Sequence, residues 1–346
     1  MTEKPLTSIR TVNYNGLKYL SACFDSIKKS IYPLDKLEVI MVDNASSDGS
    51  IAFVKESYPW VKVIALNENT GFSKANNIGA KNAQGEYVVF LNNDTVVDPN
   101  WLNGLVQIME SDRDIGIVGS KLLLMDTPTK LNSAGAAIAF NGGGYDIGFL
   151  DNDSDVYNTP GERGCVRAAA AMVRREEFLD FGGFDEDHFM YFEDVDLCWR
   201  YWLFGKKIVY IPSSVIYHKF GGSSGTFRHA PLRVFYGTRN ALLNIFKNYQ
   251  MHNIPLPFLF SFFIHTLEIL YFIARFDFSL ALLKIKAYAS FLQLLPKTLA
   301  KRKDIQKRRE IADRYLFNHS LIVSASGYFK EFLRLVRAEH SACKIN

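Results

Sequence analysis

Between residues 9 and 99, short apolar runs alternate with amphipathic stretches, and several of these runs stop at a cluster of small polar residues. Residues 9–12 lead into Asn13-Tyr14-Asn15-Gly16, and residues 37–42 lead into Asp43-Asn44-Ala45-Ser46-Ser47-Asp48-Gly49-Ser50. Residues 86–91 stop at Asn92-Asn93-Asp94. The stretches between them have helical periodicity. Leu17, Leu20, Phe24 and Ile27 share one face of a helix over 17–30. A short helix over 51–58, a strand over 61–66 and an Asn69-Thr70-Gly71-Phe72 loop that opens a helix complete the series. Asp98 and Pro99 read as the N-cap and first position of a further helix. Such alternation predicts right-handed βαβ units and a mostly parallel central sheet flanked by helices.

That architecture puts the polar clusters on one edge. Each lies just past the C-terminal end of a strand, where open α/β sheets bind ligands. One polar strand end is ordinary turn chemistry; several on the same edge point to a site. Neither GxxxxGK[ST] nor GxGxxG occurs, so a P-loop or dinucleotide site has no support. Asp43 is placed to accept from a base N–H, a way of recognising a pyrimidine. Asp94, with His218 from far along the chain, suits a divalent metal that keeps waters and phosphate oxygens as its other ligands. A packed strand-end histidine is the plainer reading of His218.

After residue 115 the pattern becomes mixed. Strands are expected over 115–124 and 164–173, with a Gly-rich hairpin and loop over 133–145 between them. A short helix over 174–181 stops at Gly182-Gly183. Glu193, Asp194 and Asp196 then sit among aromatic residues at the start of a helix carrying Val195, Leu197, Cys198, Trp199 and Trp202. Clustered carboxylates in apolar surroundings are costly unless paired, metal-bound or used in chemistry. An acidic first turn is also what a helix dipole favours with no chemistry at all. Residues 208–212 form an apolar run that leads on to Ile216-Tyr217-His218. Residues 219–225 read as a segment able to close over a ligand, and 232–246 as a helix bearing Arg239 and Asn240.

Beyond residue 250 the character changes. Residues 254–274 are almost wholly apolar apart from His265 and Glu268, and 278–295 are Leu-rich. Lys297, Lys301, Arg302, Lys303, Lys307, Arg308 and Arg309 follow. Apolar helices beside a basic run suit an anionic membrane surface, lying in the interface rather than spanning it. A helical cap with a solvated basic face is the alternative. The predicted domains are 1–248 and a helical membrane-associating extension over 249–346. A net charge of +4 gives no argument for nucleic acid. Cys23, Cys165, Cys198 and Cys343 form no CxxC pair, which fits reduced thiols in a cytoplasmic protein. Residues 1–9 lack an apolar core behind a basic start, so no signal peptide is expected. No internal repeat is evident.

The ordered motifs resemble those of family 2 glycosyltransferases of GT-A fold, in the bacterial rhamnosyltransferase-like branch. They run from Val12-Asn13-Tyr14-Asn15-Gly16 through the Asp43, Asn69–Gly79 and Leu91–Asp94 stretches. They continue with Gly182-Gly183-Phe184-Asp185-Glu186 and Glu193-Asp194-Val195-Asp196-Leu197, and end at His218, together covering about residues 9–240. The resemblance implies a Rossmann-like GT-A catalytic domain. It implies a nucleotide pocket lined by Asn13, Tyr14, Asn15, Asp43, Ser46, Gly71, Phe72, Asn76 and Asn93. It also implies a divalent metal, Mg2+ or Mn2+, on Asp94 and His218. Asp94 takes the place of the last aspartate of the family's DxD motif, but Asn92 and Asn93 precede it, so a strict DxD is missing. Asp194 takes the place of the catalytic base, preceded by Glu193. The implied reaction is inverting transfer, of L-rhamnose from dTDP-L-rhamnose by branch or from a UDP-sugar as runner-up. The implied acceptor is a polyprenyl-diphosphate-linked glycan in bacterial cell-surface polysaccharide synthesis, at the cytoplasmic face of the inner membrane. Acceptor selectivity is expected in loops such as 142–159. A nucleotidyltransferase would need more carboxylates at the metal and a basic Gly-rich triphosphate loop, neither of which is evident. A non-catalytic nucleotide-sugar-binding membrane scaffold is the remaining alternative.

Overall fold

A computed structural model describes residues 4–221 and 230–342 of the chain. Its first half follows the strand–helix alternation. The elements are β1 (Thr7–Asn13), α1 (Leu17–Lys28), β2 (Leu37–Asp43), α2 (Ser50–Ser57), β3 (Val61–Ala65), α3 (Gly71–Lys81) and β4 (Tyr87–Leu91). These strands lie side by side in the order β4-β1-β2-β3, all parallel. β1, β2 and β4 are almost wholly buried, as expected of strands covered on both faces by helices. α1 buries Leu20, Cys23, Phe24 and Ile27, the stripe that its 3.6-residue period predicts.

The second half is mixed. It comprises β5 (Thr95–Val97), α4 (Trp101–Ser111), β6 (Ile115–Leu124), β7 (Thr127–Ser133), β8 (Ala136–Ala139), β9 (Gly144–Asp146), β10 (Gly161–Glu162) and β11 (Ala170–Arg174). α5 (Arg175–Asp180), α6 (Glu193–Leu203) and β12 (Lys207–His218) follow. β11 enters the sheet antiparallel between β4 and β6, and β12 runs parallel to β6. The main sheet therefore reads β10-β12-β6-β11-β4-β1-β2-β3, with β5 on β12 and β7 on β6. The parallel half carries one strip of polar strand ends, and β12 brings a second strip to the same edge from the other side.

Two boundaries differ from the sequence reading. The helix after Asp98 begins at Trp101, because Asp98 Oδ1 takes the Asn100 amide (2.9 Å) and forms a turn first. The strand expected over 164–173 pairs in the main sheet only from Ala170. Cys165 instead exchanges both backbone hydrogen bonds with Ala136 (2.7 and 2.8 Å) in the small β13-β8-β9 sheet. The closing segment read over 219–225 lies mostly outside the described residues.

The C-terminal part is α7 (Thr238–Asn248), α8 (Pro255–Ala274), α9 (Phe278–Arg308), α10 (Asp313–Asn318), β13 (Ile322–Val323) and α11 (Ala325–Ala342). α7 is preceded by a π-helical turn over Arg233–Gly237. α8 starts on Pro255, whose fixed φ suits a first helical position, and the Asp277 side chain caps α9 at Leu280 N (3.2 Å). α9 is one helix that carries both the Leu-rich stretch and the basic run. Phe291, Ile305, Leu316, Leu321 and Ile322 join the main core, and β13 pairs with β8. The last helices are thus built onto the sheet domain.

The basic run is largely occupied by that packing. Lys297 pairs with Asp187 (2.6 Å), Lys301 with Asp185 and Asp187, Arg308 with Asp180 and Arg309 with Asp313. Arg302 donates to the carbonyls of Phe246 and Tyr249. Lys297, Lys303, Lys307 and Arg308 remain exposed, but only Lys303 and Lys307 among these lack a carboxylate partner named above. Most of the run is thus ion-paired or hydrogen-bonded to neighbouring elements, which offsets the cationic surface that the sequence suggests.

Candidate active site

Strand register assembles the first cluster. β1 and β2 end level, with Asn13 beside Asp43. Arg10 of β1 pairs with Phe90 of β4, so three residues further on Asn13 lies level with Asn93. Asn13 Nδ2 donates to Asp43 Oδ2 (2.9 Å) and Ser46 Oγ (3.1 Å), while Asn13 Oδ1 accepts from Asn93 Nδ2 (2.8 Å). The Ser46 amide donates to Asp43 Oδ1 (2.8 Å). The Asn15 amide donates to Ser46 Oγ (2.9 Å), and Asn15 Oδ1 accepts from the Ser47 amide (2.8 Å). Five of the expected nucleotide residues therefore form one network. Asp43 is fully buried and organises it, each carboxylate oxygen keeping a further lone pair for a base N–H. Tyr14 projects from this rim and is half exposed.

Gly71, Phe72 and Asn76 lie on α3, beside this network. Gly71 has φ +81, and a Cβ there would come within 2.5 Å of the Phe189 ring. The Phe72 and Ser73 amides donate to the Phe189 carbonyl (2.6 and 3.2 Å). Asn76 Nδ2 turns back to the Phe72 carbonyl (2.6 Å), so Asn76 braces its own helix and is not linked to the Asp43 network.

Pairing of β5 with β12 assembles the second cluster, because it sets His218 opposite Thr95. His218 Nε2 lies 3.3 Å from Asp94 Oδ1. His218 Nδ1 is 2.6 Å from Asn132 Oδ1, and Asn92 Nδ2 approaches Nε2 at 3.4 Å. A carboxylate, an imidazole oriented through its other nitrogen and a polar strand edge make a donor set that fits a divalent metal. Among the described residues no three His, Cys, Asp or Glu side chains group as ligands, so the remaining positions are left for water or phosphate oxygens.

The third cluster begins α6, and here neighbours sort the three carboxylates. Asp196 is wholly buried and bound by Arg200 Nε (2.9 Å), Lys247 Nζ (2.8 Å) and Asn248 Nδ2 (3.0 Å). Burial would raise its pKa, but Lys247 and Arg200 outweigh burial and hold it well below the usual range. Its role is structural. Asp194 Oδ2 accepts from Arg167 Nη1 (3.2 Å), and Arg167 Nε in turn holds Asp146 (2.6 Å). Burial opposes the charge on Arg167, yet Asp146 and Asp194 overcome it and keep the guanidinium firmly protonated. Glu193 is buried with Oε2 lacking a hydrogen-bond partner, and burial together with the Asp194 charge pushes its pKa up to about 8.

Residues 8–173 match the family profile described as Glycosyl transferase family 2. The chain carries a glycosyl transferase family 2 domain. It is 31% identical over 190 residues to the O-antigen biosynthesis protein RfbC of Myxococcus xanthus, covering 52% of this chain and 15% of that one. It is 26% identical over 210 residues to the N-acetylglucosaminyl-diphospho-decaprenol L-rhamnosyltransferase of Mycobacterium tuberculosis, covering 55% and 68%. The chain spans only 26% and 15% of two of the curated relatives it matches. Among solved structures it resembles the mannosyltransferase PcManGT from Pyrobaculum calidifontis in complex with GDP-Man and Mn2+. That likeness has a TM-score of 0.53 at 18% identity, and it covers 89% of this chain and 86% of that one. The fold is GT-A.

Several residues of this glycosyltransferase domain have no role in the sequence reading. Arg167, which binds Asp194, lies in the run Cys165-Val166-Arg167-Ala168-Ala169-Ala170; an arginine in so apolar a run is a signal of pairing. Asn132 fixes the His218 ring from a segment that carries no such signal. Asn44 ties the end of β2 to the start of α3, through the Thr70 amide (2.8 Å) and Asn69 Oδ1 (2.8 Å). Asn240 donates to the carbonyls of His188, Met190 and Tyr191 (2.8–2.9 Å), holding the turn that leads into Glu193.

Proposed function

We propose that the chain is an inverting glycosyltransferase that moves a sugar from a nucleotide onto a polyprenyl-diphosphate-linked glycan at the cytoplasmic face of the bacterial inner membrane. The observation that carries this reading is that the Asp43 network and the Asp94–His218 pair end strands on one sheet edge, while Arg167, just before β11 at that edge, holds Asp194. A network around Asp43 accepts a pyrimidine base. Thymine and uracil present the same N3–H to such a carboxylate, so dTDP-L-rhamnose and UDP-sugars are both accommodated. The relative named as an L-rhamnosyltransferase supports L-rhamnose as the sugar.

Asp94 and His218 would hold the metal, Mg2+ or Mn2+, which when bound supplies Lewis-acid neutralisation of the departing diphosphate. Asp194 takes the proton of the acceptor hydroxyl as that oxygen attacks the anomeric carbon. Arg167 holds the Asp194 carboxylate turned in one direction. Attack opposite the diphosphate inverts the anomeric configuration, and no glycosyl–enzyme intermediate forms.

Membrane contact is supported by α8 and α9. Residues 251–274 and 278–308 are long and apolar enough to cross a bilayer. The ion pairs of Lys297 and Lys301 tie the far end of α9 to the domain, which favours a hairpin inserted from one side over two free spans.

Calorimetric titration with dTDP-L-rhamnose and UDP-sugars, with magnesium and with chelator, tests the donor. In the same assay Asp194→Asn should retain donor affinity and lose transfer at least 10³-fold, the size of a positioned base plus its charge. Near-normal turnover in that variant would remove Asp194 from the base role.

A further inference from the structure

A cavity of about 240 Å³ lies between the sheet domain and the C-terminal helices. At one end are Tyr145, Asp146, Arg167 and Phe192, next to Asp194. At the other are Thr238 of α7, His265 and Glu268 of α8 and Lys284 of α9. Arg233 lines the wall between. The cavity therefore connects the proposed base with the inner face of the apolar hairpin.

Lys284 is the unexpected residue. It is only 4% exposed, on a hairpin whose outer face shows Leu267, Leu270, Leu282 and Ile285. Its ammonium pairs with Glu268 (2.6 Å) and donates to Thr238 Oγ1 (3.0 Å). Burying the lysine of a Lys–Glu pair is a poor stabilising device, since apolar residues of like volume serve as well or better. In an apolar, membrane-facing element an ionisable group of this kind marks a ligand path. Glu268 is about one-third exposed (32%), so it can turn to water when a competing anion arrives.

We propose that this cavity is the acceptor site and that Lys284 takes the diphosphate of a prenyl-linked acceptor, exchanging the Glu268 carboxylate for phosphate. The inference rests on the glycosyl-transfer reading and adds its acceptor side. Arg233 supplies a second cation, the prenyl chain leaves along the apolar face of α8 and α9, and the acceptor sugar extends toward Arg167 and Asp194. The occupant is an anionic amphiphile, because the cations Lys284 and Arg233 share this lining with the apolar Val234, Ala241 and Phe272.

The test is calorimetry on the full chain in nanodiscs, with farnesyl diphosphate as the probe. Chelator is present so that the Asp94–His218 pair gathers no metal and diphosphate there. The wild type should bind; Lys284→Met should bind at least tenfold more weakly and Lys284→Arg within a few-fold of wild type. Glu268→Gln should bind several-fold more tightly, because the internal competitor is gone. A structural ion pair gives a different pattern: both Lys284→Met and Glu268→Gln weaken binding, or neither changes it, and either result overturns the proposal. Inorganic diphosphate binding as tightly as farnesyl diphosphate would also overturn it, by making the ligand a free phosphate. Nucleotide-sugar affinity, measured with magnesium in the same proteins, should stay within twofold of wild type. A wild type that binds nucleotide sugar but shows no prenyl-diphosphate site sinks the acceptor inference alone; one that binds no nucleotide sugar sinks the transferase reading as well.

Discussion

The three carboxylates at the start of α6 share one sequence neighbourhood and have three different fates. Their partners come from elsewhere: Arg167 from the segment before β11, Lys247 and Asn248 from α7. That is why the cluster was legible in the sequence and the division of labour was not. Glu193 yields a pH prediction. Its folded pKa of about 8 stands above its ordinary value of 4.5, so the native state binds the extra proton between them. Stability from this group is complete below pH 4.5 and is lost as pH rises through 8, by a few kcal/mol at most. Glu193→Gln keeps a neutral, similarly shaped side chain and should flatten that decline, read as the difference in melting temperature between pH 5 and pH 8. Equal slopes in the two proteins would mean that Glu193 is ionised in the fold. A second residue-scale prediction concerns Asn132, which touches His218 and stands outside the proposed ligand pair. Asn132→Ala should weaken metal affinity about 10- to 100-fold by freeing the ring, with nucleotide affinity in chelator unchanged. Mn2+ titration of donor binding measures it.

At the scale of elements, the parallel half was readable because its strands are buried apolar runs with polar ends, and register then fixes which ends meet. The turn between α5 and α6 was not readable. Phe189, Tyr191 and Phe192 all have positive φ (61–68°), a conformation that bulky side chains rarely adopt. Nothing local favours it; it is held from α7, where Asn240 serves three carbonyls and Arg239 two. The same turn touches α3 through the Phe189 carbonyl and leads into Asp194, so α3 and the proposed base are built on one strained support. Asn240→Ala leaves the Met190 and Tyr191 carbonyls without this donor, while the His188 carbonyl keeps Arg239 and the Met190 amide. The expected cost is about 2 kcal/mol, near one for each of the two N–H donors lost, seen as a lower denaturation midpoint. Turnover should fall at least tenfold in the protein that remains folded, because the carboxylate loses its placement. Unchanged turnover at matched folded fraction would show that the turn is a packing feature only.

At the scale of the whole molecule, sequence pattern separated a sheet domain from an apolar, basic tail, and the structure joins them. The tail's cations were read as a membrane-facing surface because a linear sequence cannot show that Asp180, Asp185 and Asp187 lie within reach of α9. With most of those charges paired to carboxylates of the domain, membrane affinity must come mainly from apolar area. The hairpin tip is where that area is greatest: Phe276 is 82% exposed and Phe278 60%, on the turn between α8 and α9. Side chains so exposed in the folded chain contribute little to its core, so removing them should leave the melting temperature nearly unchanged. Burying each in a bilayer is worth about 1.5–3 kcal/mol. Phe276→Ser with Phe278→Ser should therefore weaken partitioning onto lipid vesicles by about 10²-fold or more, in a flotation assay at fixed lipid. Raising salt should weaken it only slightly, because the attraction is not chiefly electrostatic. A strong salt dependence with no effect of the two phenylalanines would instead place the membrane contact on Lys303, Lys307 and their neighbours, and the hairpin would then be a cap on the domain.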